Sequence, residues 1–276
     1  MGASDWQLVN WSTLNAANVR AIMAKAEGAP ATRNKILAAL KGIARMSHEL
    51  HLIDAETVSM IERVKGDKGS RLVTGRAVDA GEVMQLVNIT VKDDSPAGYR
   101  DLAIIALLRQ TGMRRAELAG LTMGDLTMSG DRATIRIIGK GNKERLAYVR
   151  NGAFKALTDW LAIRGDMSGH LFCAINKAGV LSCGNGMSTT AIHLILQKRV
   201  DEAGIEPMTA HDLRRTFAGD LLDAGQDIVT VAGLMGHSSV TTTQRYDRRG
   251  ERAREAAAAF ISVPYSGRKA ARAKVS

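Results

Sequence analysis

Cysteine and aromatic residues are scarce in this chain of 276 residues. The two cysteines, Cys173 and Cys183, lie ten positions apart and belong to no Cys-x-x-Cys pair or Cys/His cluster. This pattern argues against a disulfide scaffold and against a zinc site, and it fits a reducing cytosol. Aromatic residues make up 4% of the chain, so we expect an aliphatic core and no aromatic platform for stacking nucleic-acid bases.

Long apolar segments are also missing. A helix needs about 20 apolar residues to cross a bilayer. The longest apolar run, Leu102 to Leu108, instead predicts a buried helix. The N-terminus carries Asp5 and no basic-then-apolar run, so we predict no signal peptide and no membrane partner. The expected location is the cytoplasm.

Positive charge is in excess. Lys and Arg number 38 against 28 Asp and Glu, which gives a formal net charge of +10. A basic chain favours a polyanionic partner such as nucleic acid, although the same charge also serves simple solubility. The length allows one large domain and a small one.

Residues 1–64 predict a small helical domain. From Thr32 onward, apolar residues recur at helical spacing and share one face: Ile36, Leu40, Ile43 and Leu50. Polar residues occupy the opposite face: Asn34, Lys41, Arg45 and His48. Such a face is either solvated or, in a chain of this charge, a DNA contact. Residues 65–71 are charged and punctuated by glycine, which is typical of a linker.

Residues 72–262 predict a larger domain, followed by a basic tail at 263–276. The expected elements are helices at 99–110 and 188–203, strands at 132–138 and 145–149, and a second hairpin at 171–181. From residue 209 onward the pattern is nearly all helical. The predicted fold class is therefore mainly α with a small antiparallel β-sheet (α+β).

The last third of the chain holds the residues best suited to chemistry. Thr209 and Asp212 form a capping box that fixes a helix start, so His211 and Arg214 project from its first turns. An arginine near a helix N-terminus suits a phosphate. Taken alone, His-x-x-Arg is more simply a surface or salt-bridged pair.

Two further helices are expected after this one. The first stops at Gly236, which holds His237 at the helix exit. Ser238 or Ser239 caps the second helix, and Tyr246 is predicted two turns along it. A tyrosine in such a helix is usually a half-buried packing residue. Its polar neighbours here favour instead a phenol that faces a DNA backbone.

Two more candidates lie upstream. Arg114 begins a short helix with Glu117 one turn on. The two are either an ordinary ion pair or a clamp in which Glu117 orients the guanidinium toward a phosphate. Lys140 lies in the hairpin turn, where it is either an ordinary exposed lysine or a mobile acid.

Four sequence blocks contain these candidates: Thr-Gly-Met-Arg-Arg-Ala-Glu-Leu, Ile-Gly-Lys-Gly-Asn-Lys-Glu-Arg, His-Asp-Leu-Arg-Arg-Thr-Phe and Leu-Met-Gly-His-Ser-Ser-Val-Thr-Thr-Thr-Gln-Arg-Tyr. In content and order they resemble the motifs of the tyrosine recombinases, the phage integrase family. The resemblance covers residues 70–262, with a weaker echo at 31–56. It implies a catalytic domain at 72–262 and a helical, DNA-clamping domain before it.

The resemblance implies a site-specific DNA recombinase that cuts and rejoins duplex DNA without metal, ATP or another cofactor. Tyr246 would be the nucleophile and form a 3′-phosphotyrosine with release of a 5′-hydroxyl. His211 would assist proton transfer at the phenol, and Lys140 would protonate the departing 5′-oxygen. Because an unperturbed phenol has a pKa of about 10, this attack needs nearby cations and a base at neutral pH.

The same resemblance assigns the phosphate to three other side chains. Arg114 and Arg214 would grip its non-bridging oxygens, and His237 would hydrogen-bond it. Glu117 would support Arg114. Further DNA contacts are expected at Asn34, Lys41, Arg45, Lys143 and Arg145.

Double-stranded DNA is the implied partner, together with self-association to a tetramer and an accessory DNA-bending or directionality protein. The implied location is the cytoplasmic nucleoid. The residues after Tyr246 favour an integrase of a mobile element. A type IB topoisomerase-like enzyme and a DNA-binding regulator with a vestigial site are the alternatives.

The chain departs from the family pattern in three places. Arg215 stands where a second His is common, and Met113 replaces a commoner Leu. Neither removes a reacting group. The segment before residue 65 has room for about three helices where the family usually has four or five. Either the expected clamp is shortened, or the chain begins late relative to its gene.

Overall fold

A computed structural model describes residues 9–67, 75–139, 142–237 and 239–247, together with residues 250 and 258. The chain divides into two compact units, Met1–Leu72 and Val73–Ser276. Within the described ranges, no helix combines the length and the apolar character needed to span a bilayer.

The first unit is helical. After a short 3-10 helix at Trp11–Thr13, its described elements are α1 (Ala16–Lys25), α2 (Pro30–Glu49) and α3 (Ala55–Glu62). Asn15 and Asp54 cap α1 and α3 by accepting hydrogen bonds from backbone N–H groups of the first turn. Pro30 begins α2, where its missing N–H costs nothing.

The core-facing stripe of α2 differs in part from the predicted one. Leu40 is buried as expected, but Leu50 is 62% exposed. The residues that α2 turns to the core are Leu37, Leu40, Ala44 and Ser47. They pack with Val19 of α1 and Ile61 of α3. The apolar face was therefore predicted about one position off, since Ile36 and Ile43 lie at its partly buried margin.

The second unit combines helices with two small antiparallel sheets, which confirms the predicted fold class. Its helices are α4 (Ala80–Val91), α5 (Pro96–Thr111), α6 (Arg115–Gly120), α7 (Asn151–Arg164), α8 (Thr189–Ala203), α9 (Ala210–Asp223), α10 (Ile228–Met235) and α11 (Val240–Gln244). Its strands are β1 (Leu126–Ser129), β2 (Arg132–Ile138), β3 (Glu144–Val149), β4 (Cys173–Ile175) and β5 (Leu181–Gly186).

Helix α5 forms the centre of this unit. The predicted apolar run is buried almost all round, as Ile104, Leu107 and Leu108 show. The helix packs against α4, α7 and α9. It ends at Gly112, whose φ of 58° is the left-handed conformation that glycine adopts without strain.

The larger sheet has the order β1-β2-β3, and β1 was not predicted from the sequence. Ile135 of β2 pairs with Leu126 on one side and Ala147 on the other. Alternate residues of β2 point into the core: Ala133, Ile135 and Ile137.

The hairpin β4–β5 corrects the expectation for the two cysteines. Cys173 and Cys183 form a disulfide. Antiparallel pairing brings their Cα atoms to 4.7 Å, within reach of a cross-link. Cysteine count and spacing along the chain do not reveal this proximity.

Candidate active site

Helix α9 begins with the predicted capping box. Asp212 accepts a hydrogen bond from the Thr209 backbone at 2.8 Å, and Thr209 Oγ1 accepts one from the Asp212 backbone at 3.3 Å. The first turns of α9 then present an exposed His211 and a buried Arg214, which is 3% exposed. Although His211 is exposed as a residue, partial desolvation of its ring lowers its pKa, so the ring favours the neutral form that can accept a proton.

Arg214 is fixed by backbone carbonyl groups. Its guanidinium donates to the carbonyl of Gly112 and, at 2.6 Å, to that of Met235. Burial, followed by the nearby charge of Arg114, lowers the pKa of Arg214 to about 10. The group therefore stays cationic at neutral pH, and its orientation is set before any ligand arrives.

Arg114 precedes α6 and pairs with Glu117. The Glu117 carboxylate accepts from the Arg114 backbone N–H at 2.7 Å and from its Nη1 at 2.8 Å. The Arg114 side chain remains 43% exposed, whereas that of Glu117 is 6% exposed. Glu117 therefore pairs with Arg114 and orients its guanidinium, which fits both the ordinary ion pair and the phosphate clamp predicted as alternatives.

Glu117 also binds Arg145, a residue predicted from the sequence to contact DNA. The Arg145 guanidinium donates to the two carboxylate oxygens at 3.1 and 2.7 Å, and its Nε donates to the carbonyl of Leu234 at 3.0 Å. The side chain is 10% exposed. Arg145 is therefore largely shielded from solvent, because its guanidinium binds Glu117 and its strand, β3, contacts α10.

The charge state of Glu117 follows from these contacts. Burial alone raises the pKa of a carboxyl, but the hydrogen bonds from Arg145 and Arg114 outweigh it and lower the pKa of Glu117 to about 2. Glu117 is thus ionised and compensates two arginines.

His237 leaves α10 immediately after Gly236, which adopts φ of 63°. Its Nε2 lies 3.0 Å from Arg214 Nη2, and its Nδ1 lies 2.8 Å from Thr243 Oγ1. Burial and then the charges of Arg214, Arg114 and other cations lower the pKa of His237 to about 4. The imidazole is therefore neutral at physiological pH.

Tyr246 departs from its predicted setting. Helix α11 ends at Gln244, so Tyr246 lies in the following turn rather than two turns along a helix. Ser239 makes no side-chain cap, and Ser238 lies outside the described residues. The Tyr246 ring is 6% exposed and packs in an apolar cluster with Phe217 and Met235. The polar sequence neighbours of Tyr246 therefore did not predict that its ring packs against apolar side chains.

One cavity of about 680 Å³ collects most of the predicted catalytic residues. Its lining includes Arg114, His211, Arg214, His237 and Tyr246. The Tyr246 ring centroid lies 6.0 Å from that of His237 and 6.4 Å from that of His211. Lys140 lies outside the described residues. One chain therefore brings together around this cavity the neutral ring of His211, the guanidinium groups of Arg114 and Arg214, and the phenol of Tyr246.

Two residues near this cavity were missed from the sequence. His193 of α8 lines the cavity, and its Nδ1 is buried without a hydrogen-bond partner in the described part of the chain. Thr243 is fully buried beneath His237. A single His or Thr on a helix carries no pattern that predicts such a position.

Of the other residues predicted to contact DNA, two form hydrogen bonds within the protein and two are exposed to solvent. Asn34 exchanges hydrogen bonds with the backbone of Asp67, and Lys41 Nζ donates to the carbonyl of Glu62 at 2.6 Å. Arg45 stays 64% exposed. Lys143 is exposed beside the hairpin turn.

A metal site does not stand out in the described ranges, where no group of three or more His, Cys, Asp or Glu side chains could hold an ion. The polar groups of the cavity are mainly cationic or neutral. Such a site is complementary to an anion.

Comparison with known proteins identifies the family. The model of the phage integrase family matches residues 76–252, more than half of the chain. The tyrosine recombinase XerC of Actinobacillus pleuropneumoniae serotype 7 is 34% identical over 86% of this chain and 74% of its own length. XerC of Haemophilus ducreyi is 38% identical over 61% of this chain. The matched segment covers 53% of the length of that relative.

Solved structures share the fold. A XerH site-specific recombinase bound to a palindromic difH substrate has a TM-score of 0.68 at 22% identity, over 90% of this chain and 73% of that one. A lambda integrase dimer bound to a COC′ core site has a TM-score of 0.59 at 16% identity, over 87% and 66% of the two chains.

The chain belongs to the phage integrase family. The predicted family and the predicted enzyme class, a tyrosine-type site-specific DNA recombinase, are confirmed.

Proposed function

We propose that Tyr246 is the nucleophile of this recombinase and attacks a phosphodiester of duplex DNA. The observation that carries the proposal is the single cavity in which Tyr246 meets Arg114, His211, Arg214 and His237. The phenolic oxygen forms a bond to phosphorus, and the bond from phosphorus to the 5′-oxygen breaks. The product is a 3′-phosphotyrosine and a free 5′-hydroxyl.

Two groups handle the protons of this step. His211 takes the phenolic proton, because its imidazole is neutral at physiological pH and its ring centroid lies 6.4 Å from that of Tyr246. Lys140 gives a proton to the leaving 5′-oxygen. Religation reverses both transfers. Because the phosphotyrosyl bond keeps the energy of the broken phosphodiester, rejoining needs no ATP.

Three groups bind the phosphate. Arg114 and Arg214 stabilise the negative charge that builds on the non-bridging oxygens, and His237 hydrogen-bonds one of them. Support comes from the fixed orientation of both guanidinium groups, which Glu117 and backbone carbonyls hold. Preorganised cations lower the barrier without reorganising during the reaction.

The wider assembly is part of the same proposal. Residues 1–64 clamp duplex DNA, and Asn34, Lys41 and Arg45 are among the contacts. Residues 65–71 connect this domain to the catalytic domain at residues 72–262. Four copies exchange strands in pairs on DNA in the cytoplasmic nucleoid. We further propose that an accessory DNA-bending or directionality protein assists the reaction and that the recombinase is encoded by a mobile element. The net charge of +10 supports binding of DNA.

Covalent capture tests the nucleophile. The protein is incubated with fragmented genomic DNA of its source, denatured in detergent, and the DNA that stays attached to protein is sequenced. We expect adducts at a small set of related sequences. Tyr246→Phe should give none, whereas Tyr148→Phe, a matched change at a tyrosine that is 53% exposed, should behave as the wild type.

Other outcomes identify the alternatives. DNA binding without any adduct from the wild type would favour a regulator. Adducts at scattered sequences, together with relaxation of supercoiled plasmid, would favour a topoisomerase-like enzyme. Adducts that persist in Tyr246→Phe would place the nucleophile elsewhere.

A further inference from the structure

The ring of His237 is held at both nitrogen atoms. Arg214 Nη2 lies 3.0 Å from Nε2, and Thr243 Oγ1 lies 2.8 Å from Nδ1. Thr243 has no exposed surface, and Gly236 fixes the backbone just before the ring. The ring plane is therefore set by two partners on opposite edges.

These partners dictate where the ring proton resides. A guanidinium donates hydrogen bonds and accepts none, so Nε2 must offer its lone pair to Arg214. In a neutral imidazole the proton is then on Nδ1, and Nδ1–H donates to the Thr243 hydroxyl. In the free protein, His237 thus presents an acceptor on the side of Arg214.

A phosphate oxygen requires the opposite arrangement. It carries no proton, so His237 can hydrogen-bond it only as an Nε2–H donor. A hydroxyl can serve as donor as well as acceptor, so Thr243 can turn its O–H toward Nδ1 once that atom is deprotonated. A carbonyl or an amide N–H at this position would allow only one of the two states.

We propose that Thr243 is a positioning residue that lets His237 exchange its proton between Nδ1 and Nε2 without turning the ring when a phosphate enters. Arg214 Nη2, 3.0 Å from Nε2 in the free protein, then donates to the phosphate instead of to Nε2. One proton is released from Nδ1 to solvent, one is taken up at Nε2, and the ring stays neutral. The inference rests on the proposed function, in which His237 binds the reacting phosphate.

The surroundings of the ring favour this neutral exchange over a charged imidazolium. Arg214 and His211 face it from α9, Arg114 from the start of α6 and Arg145 from β3. With burial, they lower the pKa of His237 to about 4. Tyr246 stacks at a centroid distance of 6.0 Å. Positive neighbours therefore oppose a further positive charge.

Nuclear magnetic resonance tests the proton position directly. Long-range proton–nitrogen spectra of protein labelled with ¹⁵N at histidine distinguish protonated from unprotonated ring nitrogens, and His237→Asn assigns the signals. We expect Nδ1–H in the free protein and Nε2–H after addition of dimethyl phosphate, a phosphodiester anion that carries no proton at neutral pH. Nε2–H in the free protein, or Nδ1–H retained at the highest dimethyl phosphate concentration, would overturn the proposal.

Variants of Thr243 test its effect on cleavage. Thr243→Val removes the hydroxyl and should slow adduct formation about tenfold, as expected for losing one buried hydrogen bond. Its DNA affinity should stay within about twofold, and Thr243→Ser should restore the rate. Thr241→Val is the matched control, since Thr241 is exposed on the same helix.

The outcomes separate the two proposals. If Thr243→Val cleaves as fast as Thr241→Val, or if Thr243→Ser does not rescue, the positioning role is wrong. If the wild type forms no adduct at all, the proposed function fails. The dimethyl phosphate titration then still decides whether His237 exchanges its proton.

Discussion

At the scale of single residues, Glu117 forms ion pairs with two arginines, the shielded Arg145 and the exposed Arg114. Its carboxylate accepts from Arg114, which is exposed at the cavity, and from Arg145, whose side chain is 10% exposed. A buried arginine is costly unless a carboxylate compensates it, so the two arginines depend on one acid. We infer that Arg145 acts through Glu117 on the position of Arg114.

Replacement of Arg145 tests this dependence. Arg145→Met should lower the free energy of unfolding by about 3 kcal/mol, because it leaves Glu117 with an uncompensated share of buried charge. Arg136→Met is the matched control on the neighbouring strand. Its partners are more exposed, so it should cost less than about 1 kcal/mol. Urea unfolding measures both, and equal losses would refute the buried role.

The pH dependence of stability follows from the pKa of Glu117. Its value is about 2 in the folded protein against 4.5 for the free side chain. The carboxylate therefore contributes about 3 kcal/mol above pH 4.5, and this contribution is lost as the pH falls toward 2. The stability gap between wild type and Glu117→Gln should shrink over that range in urea unfolding. A gap independent of pH would contradict the assignment.

At the scale of elements, the C-terminal end of α10 organises the site. Its last carbonyls accept in turn from three arginines: Leu234 from Arg145, Met235 from Arg214 and Gly236 from Arg114. The C-terminal end of a helix carries partial negative charge and unpaired carbonyls, which suits cations. His237 follows directly after this end of the helix and lines the cavity.

Gly236 is the position at the end of α10 where we expect a larger side chain to disturb the site most. A Cβ there would lie 2.9 Å from Arg145 Nη1 and 3.1 Å from its Cδ. Gly236→Ala should lose about 1–2 kcal/mol from the left-handed backbone. It should also slow adduct formation on the order of tenfold or more, since it displaces Arg145.

Gly204→Ala is the control for that change. Gly204 ends α8 with the same φ of 63°, and a Cβ there meets no atom within 4 Å. We expect a similar loss in thermal unfolding and an unchanged cleavage rate. Equal cleavage by the two alanine variants would show that the end of α10 is not coupled to catalysis.

At the scale of the whole molecule, charge governs the encounter with DNA. The chain carries a formal charge of +10, yet several arginines neutralise carboxylates in the interior, as Arg145 and Arg199 do. Outside the cavity, only the exposed basic side chains can reach phosphates along the duplex. Exposed residues such as Arg45 and Lys143 therefore suit DNA better than Arg145 does.

Salt dependence measures the number of phosphates that the exposed cations contact. If six phosphates are neutralised, raising salt from about 50 to about 200 mM should weaken duplex binding by roughly a thousandfold. Tyr246→Phe removes no charge and should show the same slope in a fluorescence titration. A nearly flat slope for both proteins would contradict an electrostatic footprint of this size.

Local sequence was sufficient for many elements of the fold. The capping box of Thr209 and Asp212, the glycine stop at Gly236 and the buried α5 were all predicted, because each depends on residues within a few positions or on apolar periodicity. Strand β1 was missed because its exposed pattern lacks the alternation that marks a half-buried strand.

By itself the sequence determined the family, the order of the candidate catalytic residues, the start of α9 and the end of α10, since these depend on residue identity and short spacings. The tertiary structure alone decided that Arg145 is buried against Glu117, that Thr243 supports His237 and that Cys173 meets Cys183. These contacts join segments far apart along the chain or across a turn. Their free energy depends on burial and on a distant partner, and neither is encoded in the pattern around one residue.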